Sequence, residues 1–228
     1  MTTLVICLAG PMQAWGVSSR FTSRETRPEP SKSGVLGLLA AAQGIRRTES
    51  IEHLLALSFG VRVDQPGTLM RDFQVARSLD DKKTMPLSTR FYLADAVFVA
   101  AVQGDSDLID ALESAIRRPV YPLYLGRRSC PPSRPIYLNS TDLSVREVLT
   151  ETPWQASKGY QRRQGRSVTL RAVIDGQPGH GDMVRDIPVS FDPRRREYGW
   201  RSVEEFPVPV ENPAGRDVHD PMAFLGGS

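Results

Sequence analysis

The sequence predicts an α+β fold whose N-terminal part is a ferredoxin-like (RRM-like) unit. A buried apolar run at Leu4–Ala9 is followed by a helical pattern and then by an alternating strand pattern at Phe59–Asp64. A further apolar strand at Ala94–Val102 precedes an amphipathic helix at Asp105–Arg118, with acidic residues in its first turn and arginines in its last. Strand, helix and strand, followed by strand and helix, is the element order of such a unit.

The segments between these strands also have distinct patterns. Ser31 is the expected N-cap of a helix that stops at Gly44, because serine favours helix starts and glycine favours helix ends. Apolar residues at helical spacing predict a second helix between Ser50 and Ser58. Residues 68–93 combine an extended stretch, a polar tip and a return run, which predicts a long hairpin projecting from the core.

Beyond Pro119 the chain becomes rich in proline, arginine and glycine, and the predicted strands are short. We expect these strands at Val168–Ile174, Met183–Val189 and Tyr198–Val203. The predicted organisation is therefore a ferredoxin-like domain over residues 1–118 with its hairpin at about 68–93, a small β-rich domain with basic loops over 119–206, and a loosely structured acidic tail over 207–228.

The composition is typical of a globular protein and argues against several classes of function. With 40% hydrophobic and 24% charged residues among 228, the chain can bury a core without disulfides. We expect no membrane-spanning segment, because no apolar run approaches about 20 residues, and no secretory signal. Cys7 and Cys130 form no disulfide framework or zinc pattern. The sequence predicts a cytoplasmic protein without a metal or cofactor.

The net charge of +3 is distributed unevenly along the chain. Residues 117–201 carry 16 Lys and Arg against 8 Asp and Glu, and 15 of these 16 cations are arginines. The arginine guanidinium binds a phosphate at two points and also stacks on bases, so this block is a candidate nucleic-acid surface. Charge alone fits a solvated basic face equally well.

Two places in the N-terminal half offer groups that single-stranded RNA requires, which are cations or amides for phosphates and flat rings for bases. The Gly10–Gly16 loop presents Gln13 and Trp15 after a rigid strand, although spacing alone favours a core position for Trp15. The helix start carries Lys32 and Ser33, where free backbone N–H groups suit a phosphate. Plain N-capping is the simpler interpretation of that second place.

A third place is the proline-stiffened stretch Tyr121–Arg134. Residues 117–134 contain five arginines and no acidic residue. Because a rigid loop loses little conformational entropy on binding, we favour a nucleic-acid contact here. A second basic stretch either extends this surface or lies on a mobile loop, and its residues are Lys158, Tyr160, Arg162, Arg163 and Arg166.

Catalysis has little support in the sequence. His53, His180 and His219 have no nucleophile or metal-ligand partner at a recognisable spacing. Tyrosine and lysine can also serve in acid–base cleavage of RNA, so the histidines alone do not exclude it. Cys130 lies beside two arginines that would lower its pKa, but packing is the favoured interpretation.

Three motifs occur in a fixed order, namely Leu8–Gly16 (LAGPMQAWG), Ser33–Leu39 (SGVLGLL) and Tyr124–Pro131 (YLGRRSCP). Together they resemble the CasD family of type I-E CRISPR Cascade complexes, within the RAMP superfamily. The layout is similar from Leu4 to about Val203. The resemblance implies a ferredoxin-like domain with a protruding thumb hairpin, plus a small C-terminal β domain.

The resemblance also implies a non-catalytic role in antiviral defence, in which the protein binds and caps the 5′ handle of the CRISPR guide RNA. It implies contacts with the terminal backbone subunit and with the large PAM-reading subunit, and contact with target DNA only through the complex. Type I-C relatives cut the guide precursor, so a metal-independent endoribonuclease is the alternative function. A protein–protein adaptor without RNA contact is a third.

These implications assign roles to individual residues. Arg127 and Arg128 would clamp the handle backbone, and Gln13 would contact it more directly than Trp15. The full set of expected RNA contacts is Gln13, Trp15, Lys32, Ser33, Arg127, Arg128 and Arg134. Position alone assigns a second set to the thumb and to partner contact, namely Arg71, Phe73, Arg77, Lys82 and Lys83.

Overall fold

The computed structural model describes residues 1–16, 23–80, 83–192 and 194–216, and it has a mixed α+β architecture built mainly from strands. The elements in chain order are β1 (Thr2–Ala9), β2 (Met12–Gln13), β3 (Ser23–Arg24), α1 (Lys32–Ala42), α2 (Glu52–Leu55), β4 (Ser58–Gln65), β5 (Thr68–Gln74), β6 (Ser88–Ala94), β7 (Val97–Gly104), α3 (Ser106–Arg117), β8 (Tyr137–Thr141), α4 (Val145–Glu151), α5 (Lys158–Gln161), β9 (Ser167–Asp175), β10 (Asp182–Ser190) and β11 (Glu197–Glu211).

Seven strands form the main sheet, in the order β10-β11-β9-β4-β7-β1-β8. All neighbours in this sheet are antiparallel. The β1 strand pairs with β7 along its whole length, from Thr2 opposite Gly104 to Ala9 opposite Val97. Since β1 lies inside the sheet and both its faces are covered, its sequence is a continuous apolar run rather than an alternating one.

Helices cover the two faces of this sheet. Leu4, Ile6 and Leu8 pack with the apolar side chains of α1 and α3 in the larger core. Val5 points to the opposite face, where it packs with Val148 and other residues of α4. The period-two alternation of a strand thus divides β1 between two hydrophobic cores.

The elements predicted for the first half are present with small shifts in their bounds. The Oγ atom of Ser31 accepts a hydrogen bond from the Gly34 amide at 3.2 Å, and Gly44 follows the helix with a φ of 83°. The second helix is shorter than expected. The strand predicted from Ala94 begins instead at Val97, because Ala94 ends β6 and Asp95 turns the chain with a φ of 56°.

The second half differs more from the expectation. Three elements, β8, α4 and α5, were not predicted. Strand β11 continues through Pro207 to Glu211, so the expected start of the acidic tail lies inside a strand. Its register with β10 ends at Val203, which leaves the later part of β11 at an edge where proline is tolerated. Strands β8 and β9 pair with β1 and β4, and the strands of both halves therefore form one sheet. Residues 217–228 lie outside the described part.

A smaller sheet contains the expected hairpin. Strands β5 and β6 are antiparallel, with Thr68 opposite Ala94 and Gln74 opposite Ser88. The connecting segment carries an isolated bridge between Arg77 and Thr84. Strands β2 and β3 also pair with β6, which connects the base of the hairpin to the loop that follows β1.

A buried ion pair on β4 connects this strand to the end of α4. Arg62 and Asp64 are both 0% exposed, with Nε to Oδ1 at 2.7 Å and Nη2 to Oδ2 at 2.9 Å. Nη1 of Arg62 also donates to the carbonyls of Leu149 and Thr152 at 2.6 and 2.7 Å, which caps the end of the helix. Burial raises the pKa of Asp64, and Arg62 opposes this shift.

A second charged cluster joins the start of α1 to the β9–β11 strands. The Asp186 carboxylate accepts from Nε and Nη2 of Arg201 at 2.6 and 3.0 Å, and from the backbone N–H of Lys32 at 2.9 Å. The Asp175 carboxylate accepts from Nζ of Lys32 at 2.8 Å and from Nη1 of Arg201 at 2.7 Å. The negative charge at the N-terminus of α1 is therefore supplied by the protein itself.

We predict that Asp186→Asn lowers the free energy of unfolding by about 1.5–3 kcal/mol, because the nearly buried Arg201 loses the charge of its two-point partner and keeps only Asp175. Urea denaturation followed by circular dichroism measures this change. The matched control is Asp182→Asn, at an exposed position of the same strand, which should change stability by less than about 0.5 kcal/mol. Equal stability of the two variants would show that the cluster does not stabilise the fold.

Candidate nucleic-acid interface

The Gly10–Gly16 loop packs directly against the loop between α3 and β8. The Ala14 amide donates to the Leu125 carbonyl at 3.1 Å, and the Ser133 amide donates to the Ala9 carbonyl at 2.9 Å. Gly126 has a φ of 89°, and a Cβ atom there would overlap the Ala14 carbonyl oxygen, so the approach requires glycine. The Leu8–Gly16 and Tyr124–Pro131 motifs therefore pack against each other and form one structural unit.

The structure corrects the expectation that Gln13 contacts RNA directly. Its side chain is 0% exposed, and Nε2 donates to the carbonyls of Leu8 and Ala96 at 3.0 and 2.7 Å. Its Oε1 accepts from Nε1 of Trp15 at 3.0 Å. Trp15 is likewise buried, and its ring lies so close to Gly34 that a Cβ there would be 2.8 Å away. Both residues fix the shape of the loop.

The phosphate site expected at the start of α1 is also corrected. Lys32 is buried and its ammonium group pairs with Asp175, while Asp186 accepts the backbone N–H of Lys32. Ser33 is buried too, with its Oγ 3.3 Å from that of Ser31. A phosphate here would meet two carboxylates, so the residues serve capping and ion pairing.

Arg127 and Arg128 are the expected RNA contacts that remain accessible. The Arg127 guanidinium lies over the Tyr92 ring at 4.6 Å, and its Nη2 donates to the Arg24 carbonyl at 2.9 Å. Arg128 is exposed, and its side chain has no hydrogen bond or ion pair with any residue that the structure describes. One arginine is thus held in place and the other is free to move.

Two further arginines lie beside them that the sequence did not indicate. Strand β3 places Arg24 opposite Arg90 of β6, and Arg90 shares a face of β6 with Tyr92. No local pattern marks these positions, because non-adjacent strand pairing brings them to the loop. We call the four residues Arg24, Arg90, Arg127 and Arg128 the arginine cluster.

No carboxylate in the described part of the chain neutralises the charges of the arginine cluster. Across residues 1–16, 23–80, 83–192 and 194–216, none of the four has a carboxylate within ion-pair distance. In the same ranges, Nε of Arg90 and Nη1 of Arg127 are buried without a hydrogen-bond acceptor. A buried donor without an acceptor costs about 1–3 kcal/mol. A phosphate that reaches these groups therefore gains hydrogen bonds without breaking an ion pair.

Arg134 is turned inward and does not join the cluster. Its Nη2 donates to the Gln155 carbonyl at 2.9 Å, which ties the loop to the segment after α4.

Burial raises the pKa of the Cys7 thiol to about 11, and the nearby Arg134 charge opposes this shift. Burial also raises the pKa of Cys130, which supports packing rather than reactivity for that thiol.

The hairpin residues expected to contact a partner are exposed wherever they are described. Arg71 lies over the Phe73 ring at 5.0 Å, and 51% of Phe73 is exposed. Arg77 and Lys83 are exposed near the tip, and Lys82 lies outside the described residues. The hairpin also carries exposed apolar side chains, which are Leu69, Phe73, Val75, Leu79, Met85 and Leu87.

The two histidines that the structure describes, His53 and His180, belong to no metal-ligand group. Nε2 of His53 lies 3.2 Å from Oε1 of Gln43, and His180 is exposed in a turn. His219 lies outside the described residues. The described ranges hold no group of three or more His, Cys, Asp or Glu that would suit a metal ion. They also contain no helix with the length and apolar character needed to span a bilayer.

Comparison with known proteins places these features in a family. Residues 3–204 match the family model described as CRISPR-associated protein (Cas_Cas5). The chain is 37% identical over 162 residues to the CRISPR system Cascade subunit CasD of Escherichia coli (strain K12), covering 62% of this chain and 72% of that relative.

Two solved structures are similar over most of their length. One, described as a crystal structure of a Cas protein, has a TM-score of 0.73 and 35% identity, covering 95% of this chain and 98% of that one. The other, from a CRISPR RNA-guided surveillance complex, has a TM-score of 0.76 and 31% identity, covering 93% and 92%. This chain belongs to the Cas5 family of CRISPR-associated proteins.

Proposed function

We propose that this chain is a non-catalytic Cascade subunit that binds the guide RNA and caps its 5′ handle in antiviral defence. The family, the similarity to a Cascade subunit and the similarity to a chain of an RNA-guided surveillance complex support this role. The observation that carries the RNA contact is the arginine cluster, whose four side chains lack carboxylate partners within the described residues.

The strand order supports the ferredoxin-like interpretation of the N-terminal part. Strands β4, β7, β1 and β8 are adjacent and antiparallel, and α1 and α3 pack together on one face. This is the order of two interleaved strand–helix–strand units. The β5–β6 hairpin leaves this unit next to the arginine cluster, since Arg90 and Tyr92 belong to β6. We interpret that hairpin as the thumb.

The arginine cluster suits a single-stranded RNA backbone. Arg127 rests on the Tyr92 ring, which fixes the plane of its guanidinium before any ligand arrives. Because the loop beneath it is held by backbone hydrogen bonds to the Gly10–Gly16 loop, little conformational entropy is lost on binding. Phosphate contacts of this kind give affinity that depends on salt and only weakly on sequence.

We propose that the hairpin contacts the terminal backbone subunit. Side chains that alternate along β5 place Leu69, Arg71 and Phe73 on one face, and Leu69 and Phe73 are 63% and 51% exposed. Contiguous apolar exposure of this kind marks protein interaction surfaces. The same proposal includes contact with the large PAM-reading subunit.

For RNA binding, we predict that Arg127→Ala/Arg128→Ala weakens binding of a 5′-handle RNA at least tenfold, because each charge-assisted hydrogen bond contributes about 1.5–3 kcal/mol. Fluorescence anisotropy over a series of salt concentrations measures this change. The slope of log K against log salt should fall by about 0.7 for each phosphate that the variant no longer neutralises. Arg128→Ala alone tests the charge without disturbing packing, since this side chain is exposed.

The matched control is Arg194→Ala/Arg196→Ala, which removes two exposed arginines from the turn before β11. This variant should bind the handle RNA as the unaltered protein does. Unchanged affinity of the Arg127/Arg128 variant would refute the clamp. Recovery of cut RNA from the unaltered protein, without added metal, would instead support the endoribonuclease alternative.

For assembly, we predict that Leu69→Ser/Phe73→Ser reduces incorporation of this subunit beside the backbone subunit by at least tenfold. The expected cause is a smaller apolar area buried between the two subunits. Size-exclusion chromatography of complexes reconstituted with guide RNA measures incorporation. Val189→Ser, at an exposed apolar position of β10, is the control and should assemble normally. Normal assembly of both variants would rule out the hairpin contact.

A further inference from the structure

The basic segment Ser157–Arg166, which includes α5, is the strongest feature that the proposed site does not use. It carries Lys158, Arg162, Arg163 and Arg166, and no acidic residue occurs between residues 152 and 174. The sequence alone is compatible with either a binding surface or a mobile loop here. We call this stretch the α5 segment.

The structure holds the α5 segment firmly at both ends. The backbone N–H and Oγ of Ser157 donate to Oε1 of Gln65 at 3.1 and 3.0 Å, which ties its start to the end of β4. Nδ2 of Asn212 donates to the carbonyls of Gln161 and Gly165, both at 2.8 Å. Asn212 is 2% exposed, so its amide holds the segment from within the protein. The segment is therefore a fixed feature of the surface.

Three cations on the α5 segment project outward without a carboxylate partner among the described residues. Lys158, Arg162 and Arg163 are exposed, and no described residue forms an ion pair with any of them. Tyr160 lies between them and is partly exposed, with its ring edge-on to Trp154 at 6.2 Å. Unpaired cations beside an aromatic ring are the groups that bind single-stranded nucleic acid.

The α5 segment lies at the same end of the main sheet as the arginine cluster. Gln65, which accepts from Ser157, also donates through Nε2 to the Asp95 carbonyl at 2.6 Å, and the Asp95 amide donates to the Pro11 carbonyl at 3.2 Å. Asp95 directly follows β6, the strand that carries Arg90 and Tyr92. The turn at Pro11 is therefore connected to the α5 segment on one side and to the loop of Arg127 on the other.

We propose that the α5 segment is a second contact for the same single-stranded RNA, which passes across the Pro11 turn from the arginine cluster. This inference rests on the proposed function and extends its site. Charge complementarity carries it, because Lys158, Arg162 and Arg163 on one side of the turn and the arginine cluster on the other have no carboxylate partner among the described residues and match the regular negative charge of an RNA backbone. Two contacts on one strand strengthen binding only when the strand is long enough to span both.

The test compares fluorescein-labelled oligouridylates of about 5 and about 15 nucleotides, lengths at the two ends of ordinary single-strand site sizes. We expect Arg162→Ala/Arg163→Ala to weaken binding of the longer RNA about tenfold and to leave the shorter one within twofold. We expect Arg127→Ala/Arg128→Ala to weaken both. Arg194→Ala/Arg196→Ala is again the matched control, and unchanged urea midpoints verify that the variants fold.

The outcomes separate this inference from the proposed function. If only the Arg127/Arg128 variant loses affinity for the longer RNA, the α5 contact is refuted and the RNA-binding function remains. If neither variant loses affinity, both are refuted. An equal loss for both RNA lengths in the Arg162/Arg163 variant overturns the two-contact arrangement. If the α5 segment binds a DNA duplex more tightly than the longer RNA, its assignment as a contact for single-stranded RNA is refuted.

Discussion

The partner of each arginine decides whether that arginine stabilises the fold or is available to a ligand. Arg62 and Arg201 lie against the buried carboxylates of Asp64 and Asp186, and Arg201 also pairs with Asp175, so carboxylates compensate both charges inside the protein. Arg127 instead rests on an aromatic ring and a backbone carbonyl, which orient its guanidinium but leave the charge unneutralised. The candidate RNA site therefore depends on the absence of carboxylates around the arginine cluster, within the described part of the chain.

The unusual residues of the sequence motifs position the cluster and do not belong to it. Gln13 joins the end of β1 to Ala96, just before β7, and to Trp15, and Gly126 allows the next loop to lie against Ala14. These contacts fix the backbone from which Arg127 and Arg128 project. The side-chain interactions of Gln13 and Trp15 are thus structural, although the motifs that contain these residues identify the family.

The sequence was informative where the signal is local. Apolar runs located β1 and β7, an alternating pattern located β4, and Ser31 and Gly44 marked the limits of α1. It misjudged Lys32 because the carboxylates that reach it, Asp175 and Asp186, come from strands more than 140 residues away. Arg24 and Arg90 were missed for the same reason, since only the β3–β6 pairing brings them together.

RNA is proposed to cover the arginine cluster, and arginine-selective modification tests this contact directly. The assembled subunit is treated with phenylglyoxal with and without 5′-handle RNA, and modification at each arginine is measured by mass spectrometry. We expect RNA to protect Arg127 and Arg128 and to leave Arg194 and Arg196 as reactive as before. Equal reactivity of Arg127 and Arg128 in both samples would contradict it, and protection by a partner protein without RNA would favour an adaptor.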